Sequence, residues 1–308
     1  MIKRYKLENN QLIQTETDAP LVWLLIDPTE DEKKWVVGNF GLDEHNLASA
    51  FDPEEPARME FEPDHLELIL KRPKNYSSKD QFLFKVSSMG LFLFKDKLIV
   101  AISEDLNLFA GKYFKHVTGI REIFLKLIYN SIFHFMEHLK IINMIADEIE
   151  RKINSSMENR YLLNLFTLEK SLVYYLNAVN ANSYVIERLK HAVEKVGFSQ
   201  RSVEFLDDIM IENNQCSRQA EIYSNILAGL MDARASIVSN NLNVMMKNLN
   251  AVVIAIAVPS FFAGVGGMSE LTTITHIADH RVAYPVFVLL MSGIGVAVYW
   301  IIKRVEKY

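Results

Sequence analysis

Apolar residues fall along the chain in three successive patterns. Up to about residue 105 they come in short bursts: LVWLLID (Leu21 to Asp27), LELILK (Leu66 to Lys71), QFLFKV (Gln81 to Val86), LFLF (Leu91 to Phe94) and KLIVAI (Lys97 to Ile102). The turn formers Pro73, Asn75, Ser88 and Asp96 separate them, so each burst predicts a buried strand. Thr29-Glu30-Asp31-Glu32 has the form of a capping box and starts a helix that ends near Gly41. These elements make an α/β unit. From about 117 to 195 the period becomes helical with almost no Gly or Pro apart from Gly119, the composition of long packed helices. Gly197-Phe198-Ser199 breaks them. A new helix starting near Ser199 meets no strong stop before Pro259, Gly229 being its one weak point. Unbroken to Gly264, it is roughly 65 residues, or about 100 Å.

The third pattern is continuous apolarity. Between Lys247 and Glu270 lie 22 uncharged residues, and between Arg281 and Lys303 another 21. Each matches the roughly 20 residues that a helix needs to cross about 30 Å of hydrocarbon. Buried helices of a soluble core show a charged face every few residues, and neither run does. The segment from Glu270 to Arg281 is too short for a domain, so the spans form a hairpin with both flanks on one side. Lys303, Arg304 and Lys307 follow the second span and Lys247 precedes the first, while the loop offers only Arg281 beside Glu270 and Asp279. The positive-inside bias therefore expects both termini in the cytoplasm. Tyr284, Tyr299 and Trp300 suit the interfacial belts at the two ends of the second span.

Composition narrows the picture further. In 308 residues, half are apolar and the net charge is −5, which excludes a disordered chain and gives no basic excess for nucleic acid. A single cysteine, Cys216, excludes a disulfide framework and any multi-cysteine zinc module. It lies among acids with no activating base, so its expected role is structural. The N-terminal MIKRYKLENNQ has no apolar h-region, and no signal peptide is expected.

A two-span hairpin encloses no pore and leaves its polar groups facing lipid, which oligomerisation remedies. Asn243, Asn250, Ala257 and Gly264 recur every seven residues, with Met246, Leu249, Val253 and Ser260 at adjoining positions. Around a symmetry axis this stripe would line a channel. The same spacing also serves coiled-coil register and close helix packing, and spacing alone does not choose between them.

The segment Ser239, Asn240, Met246, Lys247, Leu249, Pro259, Ala263, Gly264, Gly267, Met268 resembles the stalk and first span of the CorA family of divalent-cation channels. Trp23 with Asp27, Phe40-Gly41, Pro56 and the Lys97 to Ile102 strand follow that family's order. The resemblance implies a funnel-shaped homopentamer: an α/β/α cytoplasmic domain (1–116 α/β, 117–248 long helices with the stalk) and a transmembrane domain (249–308, spans near 249–268 and 282–302). It makes Asn243, Met246 and Leu249 the cytoplasmic neck. Val253, Ala257, Ser260 and Gly264 line the membrane stretch, and Gly267 and Ser269 stand at the outer mouth. The implied activity is inward transport of divalent cations, most of all Mg2+, in the cell inner (plasma) membrane, gated by intracellular metal. Asp208 on the stalk matches the family's regulatory acid; its partner position falls at Ser49, with Asp52 one turn on.

Departures matter too. The signature asparagine after Gly267 and Met268 is replaced by Ser269, a shorter acceptor that leaves a wider, weaker ring. The acidic outer loop is also missing, and His276 and His280 with Asp279 offer ligands for Zn2+, Ni2+ or Co2+. A zinc or nickel/cobalt transporter of the same fold, or a non-conducting scaffold, are thus the alternatives. His134, Glu137 and His138 in FHFMEH lack a third zinc ligand.

Overall fold

A computed structural model describes residues 1–17, 19–77, 81–110, 112–155, 159–266 and 280–305. Residues 1–231 and 232–308 form two compact units. The first is built on a seven-stranded mixed sheet of order β2-β1-β3-β7-β6-β5-β4. Its strands are β1 (Ile2–Glu8), β2 (Gln11–Gln14), β3 (Val22–Ile26), β4 (Arg58–Phe61), β5 (His65–Pro73), β6 (Val86–Phe94) and β7 (Leu98–Ile102). β3 and β7 pair in parallel and every other neighbour is antiparallel.

Alternation along the strands sorts the sheet residues onto two faces. Trp23, Leu25, Ile69, Phe92, Ile99 and Ala101 pack under α1 (Glu30–Phe40) and α2 (Glu44–Ser49). Leu24, Leu68, Leu70, Leu91, Val100 and Ile102 pack against α3 (Ile120–Ser155) and α4 (Asn159–His191), and Leu206, Ile209, Cys216, Ala220 and Leu227 of α6 (Gln200–Gly266) belong to the same core. The result is a three-layer α/β/α sandwich. The capping box forms as the sequence predicts: Thr29 Oγ1 accepts from Glu32 N (3.3 Å) and Thr29 N donates to Glu32 (2.9 Å). Gly41 closes α1 at φ 67°. A short α5 (Val193–Val196) ends at Gly197, φ 73°, and Ser199 Oγ accepts from Ser202 N to open α6.

Two stretches differ from the sequence pattern. QFLFKV and LFLF are not two strands: β6 begins at Val86 and runs through Ser87 and Ser88 to Phe94. The serines hold because each is satisfied inside the core, Ser87 Oγ on Ser103 Oγ (2.9 Å) and Ser88 Oγ on Asp52 O (2.5 Å). Gln81 and Phe82 instead take positive φ, and Phe84 N donates to Ser171 Oγ on α4 (3.0 Å). The N-terminal MIKRYKLENNQ, read above only for its missing apolar run, forms the β1–β2 hairpin. Asn9 and Asn10, at φ 50° and 60°, make the turn.

α6 is a single helix of 67 residues with Pro259 inside it. The second unit comprises its membrane part and α7 (His280–Val305). Both helices have segments long and apolar enough to span a membrane, and these are almost entirely exposed within the chain.

Candidate functional site

The stripe predicted from spacing is a physical face of α6. Met246, Leu249 and Val253 are more than half exposed, and Asn243, Asn250, Ala257, Ser260 and Gly264 are exposed as well. From Ala251 onward the opposite face is the one in contact, whereas residues 235–250 are exposed all round. Ala251 is 2% exposed, and Ala255, Val258, Pro259 and Ala263 are partly covered. At about 100° per residue these two sets lie on roughly opposite sides of the helix. The contact is made by α7 at Gly295, where an added Cβ would stand 3.0 Å from the Ala255 carbonyl oxygen and 3.3 Å from Pro259 Cγ. Pro259 has no N–H to give Ala255 O, so the close approach of Gly295 covers a carbonyl that the helix itself leaves open.

The chemistry of the free stripe is that of neutral acceptors. Ser260 Oγ donates to Ile256 O (2.8 Å), which consumes its hydrogen and leaves its lone pairs outward. Asn243 and Asn250 add amide oxygens, and Met246, Leu249 and Val253 add apolar rings between them. Gly267, Met268, Ser269 and His276 lie outside the described residues; His280 is the first residue of α7.

In the first unit, Asp208 lines a cleft of about 740 Å³ with Tyr113, Glu122, Lys126, Tyr129 and Glu212. Burial, then Tyr113, Glu212 and Asp208, push the Tyr129 phenol up to about 12. Glu122 sits at about 2, held there against burial by Lys126 and by the hydroxyl and N–H of Thr118. Asp52 lies elsewhere. It follows α2, its carboxylate accepts from Glu54 N (2.8 Å), and its carbonyl is tied to Ser88 on the α1/α2 side of the sheet. Asp208 is on α6, in the layer across the sheet, so the chain does not bring the two acids together itself. An ion held by both would have to bridge two copies.

One acidic group is not legible in the sequence. The ligand oxygens of Glu60, Glu62 and Glu67 lie within 4.8 Å of one another. Glu60 and Glu67 are cross-strand partners, a register that no local pattern reveals. Arg58 pairs with Glu60 (3.2 Å), and Glu67 is buried between His65 (2.9 Å) and Asn46, so the group is substantially neutralised from within. His134 and His138 turn inward, while Glu137 is exposed, so FHFMEH presents no joint ligand set.

Residues 18–304 match the family described as CorA-like Mg2+ transporter protein, nearly the whole chain. The chain belongs to this family. The CorA-like protein is 24% identical over 267 residues to the cobalt/magnesium transport protein CorA of Methanocaldococcus jannaschii, covering 82% of this chain and 81% of that one. Its fold matches the complete structure of the CorA magnesium transporter from the same organism, with a TM-score of 0.80 and 18% identity over 99% of this chain and 98% of that one. It also matches the ZntB cytoplasmic domain from Vibrio parahaemolyticus (TM-score 0.61, 14% identity), covering 77% of this chain and 98% of that one. It is therefore a membrane-embedded divalent-cation transporter with two apolar C-terminal helices, and not an enzyme.

Proposed function

We propose that this CorA-like chain is the protomer of a homopentameric channel that carries Mg2+ into the cell, with both termini in the cytoplasm. The observation that supports this best is the α6 stripe: polar, small and apolar positions exposed together, opposite the face that α7 covers. Mg2+ gives up its water reluctantly, so neutral acceptors at Asn243, Asn250 and Ser260 suit a hydrated ion better than a carboxylate cage. Met246 and Leu249 close the path by dewetting when the neck narrows. A negative-inside potential supplies about 2.3 kcal/mol per charge per 100 mV, roughly 4.6 for a divalent ion, so entry needs no ATP. Intracellular metal between Asp208 of one copy and the Asp52 region of the next favours the closed state, and its loss restores repulsion.

The family resemblance assigns the outer mouth to Gly267 and Ser269, within the signature Gly267, Met268, Ser269. A serine ring there selects less sharply than an amide ring, and the cobalt in the name of the curated relative supports Co2+ as a second cargo. His276 and His280 extend that reading to Zn2+ and Ni2+. The test is flux into indicator-loaded proteoliposomes under a negative-inside potential, with Mg2+, Co2+, Zn2+ and Ni2+ supplied separately. Mg2+ uptake blocked by hexammine cobalt is the expected result, and Ser269→Asn should raise the Mg2+ to Co2+ flux ratio. Absence of flux for every ion from pentameric protein refutes the channel and leaves a scaffold.

A further inference from the structure

The cleft of about 740 Å³ that Asp208 lines is bounded by a one-turn segment at Tyr113, the start of α3 and the start of α6. Tyr113, Tyr129 and Phe205 make one continuous aromatic wall of it. Ring centres stand 5.1 Å apart for Tyr113 and Tyr129 and 5.5 Å for Tyr129 and Phe205, and each of the three residues is partly exposed.

Beside this wall the cleft is acidic. Glu204, Asp208 and Glu212 follow one another at one-turn intervals along α6. Among the described residues neither Asp208 nor Glu212 has an ion-pair or hydrogen-bond partner, and Glu204 has only the Gln200 amide at 3.4 Å. Glu122 is engaged by Lys126 (2.8 Å) and Thr118, and Lys126 also donates to His116 O (2.6 Å). Of the described residues on the lining, Arg201 is the one remaining permanent cation, which leaves an excess of two negative charges. These carboxylates do not converge. Among the described residues, the three acids whose ligand oxygens lie within 4.8 Å of one another are Glu60, Glu62 and Glu67, on and beside the β4–β5 pair. A divalent metal asks for several oxygens around one point. Charges strung along a helix beside exposed rings suit an elongated cation with an alkyl body.

We propose that this cleft binds a linear aliphatic diamine or polyamine, with one ammonium on Asp208, the next on Glu212, and the methylene chain along Tyr113, Tyr129 and Phe205. A propyl or butyl spacer covers about one helical turn, roughly 5.4 Å, which is the interval between the two acids. Ammonium groups only donate and carboxylates only accept, so each end is satisfied, and attraction of the cation to the ring faces adds to the pairing. Asp208 is also the acid that the proposed function gives to intracellular metal, so the two cations compete there. That consequence rests on the channel reading, whereas binding in the cleft does not.

The test is isothermal titration calorimetry of the full-length protein in detergent with putrescine, in the presence of EDTA and at constant ionic strength. Saturable binding of one putrescine per chain is expected, several-fold tighter than butylamine, whose single charge reaches one acid only. Asp208→Asn, Glu212→Gln and Tyr129→Leu should each weaken it several-fold. Glu221→Gln removes an exposed charge from the same helix outside the cleft and should leave it unchanged. Absence of saturable heat overturns the proposal. So does equal weakening by Glu221→Gln, which means attraction to the general negative charge of the chain, and so does undiminished affinity in Tyr129→Leu. If Tyr129→Leu fails to fold, Phe205→Leu takes its place with the same expected loss. Repeating the titration in Mg2+ without EDTA separates the two readings: a raised apparent dissociation constant supports competition at Asp208, and an unchanged one overturns the competition while the cleft stands.

Discussion

Gly293 and Gly295 give a matched pair in which one methyl group reports on the packing of α7 against α6. Both lie within α7, so replacing either by alanine brings the same gain in helix propensity, about 1 kcal/mol, and this cancels in the comparison. They differ in what the new methyl meets. At Gly293 nothing stands within 4 Å, whereas at Gly295 the Cβ would be 3.0 Å from Ala255 O and 3.3 Å from Pro259 Cγ. Neither neighbour is the free end of a flexible side chain; one is backbone and the other a ring fused to it. The methyl therefore costs about 1–3 kcal/mol of overpacking, and Gly295→Ala should be less stable than Gly293→Ala by that amount. SDS titration in mixed micelles measures the difference. Displacement of α6 at Ala255 also moves Ala257 and Ser260 on its far side, so Mg2+ uptake by Gly295→Ala in proteoliposomes should fall several-fold while Gly293→Ala keeps wild-type flux. Equal unfolding midpoints and equal flux for the two variants would refute the assigned contact.

Three further outcomes follow from the first unit. Burial first, then charged neighbours, hold His134 at about 3 and His138 at about 4, below the ordinary 6.5. Their neutral forms thus stabilise the fold fully above pH 6.5, and this is lost as pH falls toward 4, by up to about 2 kcal/mol per histidine at pH 5 and less for the partly exposed His134. His65 opposes this in sign, because Glu67 and Asp64 raise it against burial and its contribution grows as pH falls. Denaturant midpoints between pH 7 and 5 should decline in wild type and decline less in His134→Gln. Asn182, fully buried, accepts from Lys71 N and donates to Lys71 O, both at 2.8 Å. Asn182→Ala strands two buried backbone groups at about 1–3 kcal/mol each. It should speed hydrogen exchange at Lys71, and a loss under about 0.5 kcal/mol would contradict the geometry. Gly90 sits where a Cβ would fall 2.5 Å from Ala50 Cβ, so Gly90→Ala should lower the thermal midpoint by forcing α2 off the sheet.

Local sequence determined whatever depends on period and length: the two spans, the uninterrupted helix from near Ser199 to Gly264, the capping box at Thr29 and Glu32, and the stripe from Asn243 to Gly264. Each is a statement about residues a few positions apart, where backbone geometry and apolar spacing are sufficient. Tertiary structure alone decided what rests on partners far along the chain. Ser87 and Ser88 read as a break, yet they lie inside a strand because Ser103 and Asp52 satisfy them. Asn182 reads as one more polar helix residue, yet it closes the backbone of Lys71, 111 positions away. His134 and His138 lack a third metal ligand in the sequence, and only the fold ties His138 to Tyr175, 37 positions away. The stripe itself was legible, but its exposure opposite the Gly295 contact was not, because a single helix carries no record of which face its neighbour will cover.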